Sequence, residues 1–178
     1  CAADLTLPEG RTRVIDDLRD RGLVVDILVN NAGFGSAGEF SSLPRQLEVD
    51  QVRVNCEAVV DMTSAFLPEM VHRGEGAILN VASTAGFQPL LAEAVYSASK
   101  AFVLHFSDSL HCELRHTGVA VTALCPGPVR TEFQAVSGDP ADSVPAFRWR
   151  TAEDVARAGI DGLSRGERIV VVGWPNRI

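Results

Sequence analysis

The sequence predicts an α/β fold, a doubly wound parallel sheet with helices on both faces. Three observations predict it. Short apolar runs alternate with helix-like stretches of ten or more residues along nearly the whole chain. The runs are almost continuously hydrophobic, as in strands buried on both faces. Finally, the segments rich in glycine, proline and polar residues directly follow the runs. In an open parallel sheet, that is where the ligand crevice lies.

Each element has its own signal. Residues 8–21 open with Thr6 and Pro8, place Val14, Ile15 and Leu18 at helical spacing and stop at Gly22, which predicts an amphipathic helix. Val24 to Val29 is a short apolar run and predicts the first strand, ending in Asn30-Asn31-Ala32-Gly33. After a loop with Gly33, Gly35 and Gly38, apolar positions recur from Leu47 to Val71 and predict one long helix closed by Arg73-Gly74. Ala77 to Ala82 predicts a strand, Ala94 to His116 a second long helix, and Val119 to Cys125 a strand ending at Pro126-Gly127-Pro128. Residues 128–150 lose periodicity and carry Phe133, Phe147 and Trp149, which suits a loop that closes on a ligand. Thr151 to Ser164 predicts a final helix and Ile169 to Gly173 a final strand. No repeat or linker divides the chain, so residues 1–178 read as one domain.

Composition narrows the function classes. The chain has 178 residues, 46 % hydrophobic and 22 % charged, a balance that can bury one core. A formal net charge of -7 argues against a broad electrostatic hold on nucleic acid or anionic lipid. Cys1, Cys56, Cys112 and Cys125 form no Cys-x-x-Cys pair and have no histidine at zinc spacing, so reduced thiols are expected and no metal site. No apolar run is long enough to span a membrane and no secretory pattern opens the chain, so a cytoplasmic protein is expected.

The chemistry concentrates on a few side chains. Tyr96 and Lys100 stand four residues apart near the start of a predicted helix, which puts phenol and ammonium on one face, about 6 Å apart at the backbone. A free tyrosine titrates near pH 10, and a nearby fixed positive charge favours its phenolate, so Lys100 is expected to tune Tyr96. Ser83, at the carboxyl end of a predicted strand, could donate to a substrate carbonyl oxygen. Asn55 interrupts the apolar pattern of the long helix, and a bridging water to Lys100 is one reason for an amide there. A hydrolase reading of Ser83 with one of the histidines has little support, because no Gly-x-Ser-x-Gly elbow is present.

Each signal is weak alone; together they form a register. Asn30-Asn31-Ala32-Gly33, Arg53-Val54-Asn55, Asn80-Val81-Ala82-Ser83-Thr84-Ala85-Gly86, Tyr96-Ser97-Ala98-Ser99-Lys100 and Pro126-Gly127-Pro128-Val129-Arg130-Thr131 stand on successive βα units. In this the chain resembles the short-chain dehydrogenase/reductase family over essentially its whole length. The resemblance implies a Rossmann-type fold and an NAD(P)-dependent oxidoreductase that moves hydride between a nicotinamide and a carbonyl or secondary alcohol. It implies Tyr96 as general acid/base, Lys100 on the nicotinamide ribose, Ser83 orienting the substrate oxygen and Asn55 holding a proton-relay water. Asn31, Ala32 and Gly33 would adjoin the adenine-side ribose, and Pro126, Gly127, Val129 and Thr131 the nicotinamide. Asp4 matches the family's acidic residue near the adenine, although a turn residue is an equal reading of its position.

The family's first strand, its glycine-rich turn and its second strand, whose end chooses between NADP and NAD, have no counterpart before Asp4. The expectation is therefore a partial domain missing its first β-α-β segment, with an exposed strand edge and a doubtful stable monomer. A small-molecule carbonyl or alcohol is the implied substrate, and a homodimer or homotetramer through the two long helices the implied assembly. The alternative is a cofactor-free remnant that acts only by association.

Overall fold

The structure is a computed structural model and describes residues 1–131, 133 and 149–173. Four parallel strands form the main sheet in the order β1-β2-β3-β6: β1 (Ile27–Asn30), β2 (Gly76–Val81), β3 (Val119–Cys125) and β6 (Ile169–Val171). The helices between them are α1 (Pro8–Asp20), α2 (Arg45–Val52), α3 (Ala58–Arg73), α4 (Ala94–Leu114) and α5 (Ala152–Ser164). A small parallel pair, β4 (Val129–Arg130) and β5 (Arg150–Thr151), ties together the two ends of the segment expected to close on a ligand. Phe147, the second aromatic of that segment, lies outside the described residues.

Strand periodicity sorts the core into two layers. Leu28, Ile78 and Val121 face one side and pack with Met62 and Met70 of α3 and Leu114 of α4, flanked by Val14 and Ile15 of α1. Ala82, Ala123 and Cys125 continue that layer toward the strands' carboxyl ends, against Val59, Val103 and Leu104. Leu79, Leu124 and Val170 face the other side and pack against Val155 and Leu163 of α5. Both faces are thus covered by helices, as the near-continuous apolar runs require. The exception is β1: Ile27 is 61 % and Val29 52 % exposed, on the face where α5 packs over β2, β3 and β6.

A polar ladder crosses this apolar interior. Asn30 Nδ2 donates to Thr63 Oγ1 at 3.1 Å and to Asn80 Oδ1 at 2.8 Å. Asn80 Nδ2 donates to Ser107 Oγ at 2.9 Å, and Ser107 donates to the Val103 carbonyl at 2.7 Å. Buried amides tolerate such a site only when paired, and here each bond joins a different element: β1 to α3, β1 to β2, β2 to α4. Arg11 of α1 is also buried, donating to Asp61 Oδ2 of α3 at 2.6 Å, to Glu57 and to the Leu5 carbonyl.

The structure departs from the sequence expectations in three places. The first strand begins at Ile27, not Val24, because β2 offers partners only from Gly76 onward and Ala77 pairs with Ile27. The long helix expected from Leu47 to Val71 is interrupted by a π turn at Arg53–Glu57 between α2 and α3. π turns are frequent at functional sites, and this one carries the buried Asn55. The final strand ends at Val171 rather than Gly173, whose φ of 88° lies in the left-handed region.

Candidate active site

The strands deliver the predicted residues to one rim. β2 ends at Val81, and two residues later Ser83 caps a 3₁₀ turn, Thr84–Phe87. Its Oγ accepts from the Ala85 backbone N–H at 3.1 Å. A hydroxyl that accepts still has its own proton to donate, so the expected role toward a substrate oxygen survives the cap. Thr84 N–H donates to the Pro126 carbonyl at 2.9 Å, which binds this turn to the loop after β3.

Tyr96 and Lys100 sit in the first two turns of α4 and share a face as their spacing predicts. The Lys100 ammonium lies 5.8 Å from the Tyr96 ring centre and donates to the Val81 carbonyl at 2.9 Å, so it spans from α4 to the end of β2. Phe133 packs on Tyr96, ring centres 5.4 Å apart and tilted by 51°.

Electrostatics give each group a character. Burial pushes the Lys100 ammonium down to about 8, with the neighbouring Cys56 and Cys125 opposing that fall. Burial raises the Cys125 thiol to about 12, and Lys100 works against the rise. Tyr96 is raised above its ordinary value, first by burial; the Ser83 hydroxyl pulls it back and Glu93 adds to the rise. The sequence led us to expect Lys100 to lower the phenol. In this arrangement desolvation of the ring is the largest cause, and the ammonium is turned to the Val81 carbonyl.

Asn55 lies in the π turn and is buried. Oδ1 accepts from the Phe34 N–H at 3.2 Å, while Nδ2 donates to the Phe34 carbonyl at 2.9 Å and to Ser99 Oγ at 3.0 Å. Ser99 in turn donates to the Tyr96 carbonyl at 2.8 Å. The side chain therefore clamps the loop after β1 onto α4.

The remaining predicted residues divide. Asn31, Ala32 and Gly33 are exposed along the rim after β1, and Pro126, Gly127, Val129 and Thr131 lie on the loop after β3, the last of them accepting from the Phe133 N–H at 3.2 Å. Asp4 sits apart in an exposed turn before α1, where its Oδ1 accepts from the N–H and hydroxyl of Thr6 at 2.9 and 2.7 Å. Those two bonds hold its carboxyl below the usual range, and they match the turn reading of its position. Ser36 and Gln51 were not anticipated: both are buried, and Ser36 donates to Gln51 Oε1 at 2.9 Å. The available signal was a glutamine one helical turn before Asn55, on the same face.

The nicotinamide end of a dinucleotide fits what is here. A side-chain carbon added to Gly33 would stand 2.7 Å from Asn55 Oδ1 and 3.7 Å from Lys100 Nζ, so the rim backbone passes close over both groups and only glycine fits against the Asn55 amide.

The short chain dehydrogenase family matches residues 1–141. The chain belongs to that family. Among relatives, this short-chain dehydrogenase chain is 38 % identical over 172 residues to an uncharacterized oxidoreductase of Myxococcus xanthus, covering 97 % of this chain and 64 % of the relative. It is 42 % identical over 162 residues to a sulfoacetaldehyde reductase of Chromohalobacter salexigens, covering 87 % of this chain and 60 % of that one. A short-chain dehydrogenase from Sphingobium yanoikuyae, solved in complex with NADPH, superposes with a TM-score of 0.88 at 31 % identity, over 97 % of this chain and 66 % of that one. The chain thus spans somewhat under two thirds of the length of these relatives. Among the described residues no helix is long and apolar enough to cross a membrane.

Proposed function

We propose that this chain supplies the reaction centre of an NAD(P)-dependent oxidoreductase acting on a carbonyl or secondary alcohol. One observation carries the reading: the Ser83 hydroxyl acts on the Tyr96 phenol while the buried Lys100 ammonium stands one turn along the same helix, all at the carboxyl end of β2. A bound nicotinamide would give or accept hydride at the substrate carbon. Ser83 holds the substrate oxygen with its hydroxyl proton, and Tyr96 delivers a proton to that oxygen in reduction or removes one in oxidation. A phenol raised by burial stays protonated at neutral pH and so carries the proton that reduction requires. Lys100 would hold the ribose hydroxyls of the bound cofactor.

Structural relatives that carry NADPH or NADP favour NADP over NAD. Phe133 beside Tyr96 favours an apolar group next to the reacting carbon. The long helices offer a surface for a second copy, where Phe102 stacks on Phe106 at 5.9 Å and Val52 is half exposed. The test is binding and turnover: the full-length protein should bind NADPH by calorimetry, and Tyr96→Phe should abolish carbonyl reduction while leaving that binding intact. A full-length protein that binds neither NADPH nor NADH, or whose Tyr96→Phe variant reduces carbonyls normally, overturns the reading and leaves the association module.

A further inference from the structure

Two side chains grip the loop that backs Tyr96, and only one of them was foreseen. Asn55 holds both backbone groups of Phe34. Gln51, one helical turn earlier and 0 % exposed, accepts from the hydroxyl of Ser36, itself 4 % exposed. Gly35 lies between these anchors. A side-chain carbon there would stand 3.1 Å from Tyr96 Cδ2 and 2.9 Å from Phe133 Cζ, so the loop backbone is pressed against the catalytic ring. Any movement of Ser36 passes to the ring through one intervening residue.

We infer that Gln51 is a positioning residue: through Ser36 and Gly35 it fixes the Tyr96 ring and keeps water away from it. The inference rests on the reading of Tyr96 as the acid/base. Two features argue for more than general packing. A fully buried glutamine costs more than an apolar residue of similar size, and here the cost is the greater because only Oε1 is paired while the buried Nε2 has no partner among the described residues. And this bond runs from a helix, a rigid element, to a loop that has no regular structure of its own, which is how a precise site is supported. Among the described residues, the groups facing the phenol are Lys100 on its own helix, Glu93 just before that helix and Ser83 just after β2, with Gly35 and Phe133 beside the ring without charge.

The test uses Gln51→Met, Ser36→Ala and the double variant, each measured for carbonyl reduction, thermal unfolding and titration of the phenol. Tyr96 is the one tyrosine in the sequence, so tyrosinate absorbance, corrected with Tyr96→Phe, reports on it directly. Each single variant should lower kcat roughly tenfold or more with little change in KM, as displacement of a reacting group by a fraction of an ångström does. The phenol should titrate lower as water reaches the ring. The double variant should regain thermal stability, since no buried group is left unpaired, yet keep the kcat loss and the lowered titration. Folded variants with unchanged kcat and titration overturn the inference, as does a double variant whose activity recovers together with its stability. If Tyr96→Phe still reduces carbonyls, the functional reading fails instead, and the titration alone decides whether Gln51 positions the ring.

Discussion

Replacing Gly86 with alanine should force the turn that carries Ser83 away from the helix that carries Tyr96 and Lys100. The glycine is buried in the Thr84–Phe87 turn, and an added carbon would meet the Lys100 carbonyl oxygen at 2.7 Å, its carbon at 2.8 Å and Ala101 N at 3.0 Å. All three atoms belong to the backbone of α4, so no flexible side chain can swing aside. The φ of Gly86 is not in the left-handed region, which leaves steric contact as the whole cost. Restoring an ordinary contact of about 3.4 Å from 2.7 Å requires an opening of roughly 0.7 Å. Overpacking of this kind costs about 1–3 kcal/mol. For a chain of this size that lowers Tm by about 2–12 °C. The same opening separates Ser83 from Tyr96, and a misplacement approaching 1 Å reduces turnover by about ten- to a hundredfold. Circular dichroism melting and steady-state carbonyl reduction measure both effects. A Gly86→Ala protein that melts with the parent and turns over within about twofold of it would refute the packing argument.

Stability should depend on pH through Lys100. Its folded value of about 8 lies below the unfolded 10.5, so the unfolded chain binds the extra proton and stability rises with pH from about 8. Above about 9 the Cys125 thiol, raised from 9.0 to about 12, acts in the opposite sense and flattens the rise; urea denaturation from pH 7 to 10 should show a gain of about 1 kcal/mol and then a plateau, with Lys100→Met removing the gain. Asn80→Leu should destabilise the chain by about 1–3 kcal/mol, because Ser107 loses its donor and Asn30 one of its two acceptors inside the core. Chemical denaturation of the variant at parental stability would show that the ladder contributes nothing net.

Much of this molecule was readable residue by residue. The element order follows from alternating apolar periods, and the rim positions of Ser83, Tyr96 and Lys100 follow from their places after strands and at the start of a helix. Asn55 was readable as an anomaly, but its contacts with Phe34 and Ser99 were not. A polar residue on an apolar stripe announces that some partner exists, while the identity of that partner is set by which loop folds over it, here Phe34. Asp4 shows the converse: two readings fit its position, and the local bonds to Thr6 match one. The start of β1 was misjudged because Val24 and Val25 are as apolar as the strand itself, and only the register with β2 excludes them.

The sequence by itself determined the fold class and the residue types that meet at the rim, because hydrophobic period and motif spacing are local properties of the chain. Tertiary structure alone decided the rest. The grip of Gln51 on Ser36, the turn of Lys100 toward Val81 and the raised phenol of Tyr96 depend on distances between segments far apart in the chain and on the water their packing excludes.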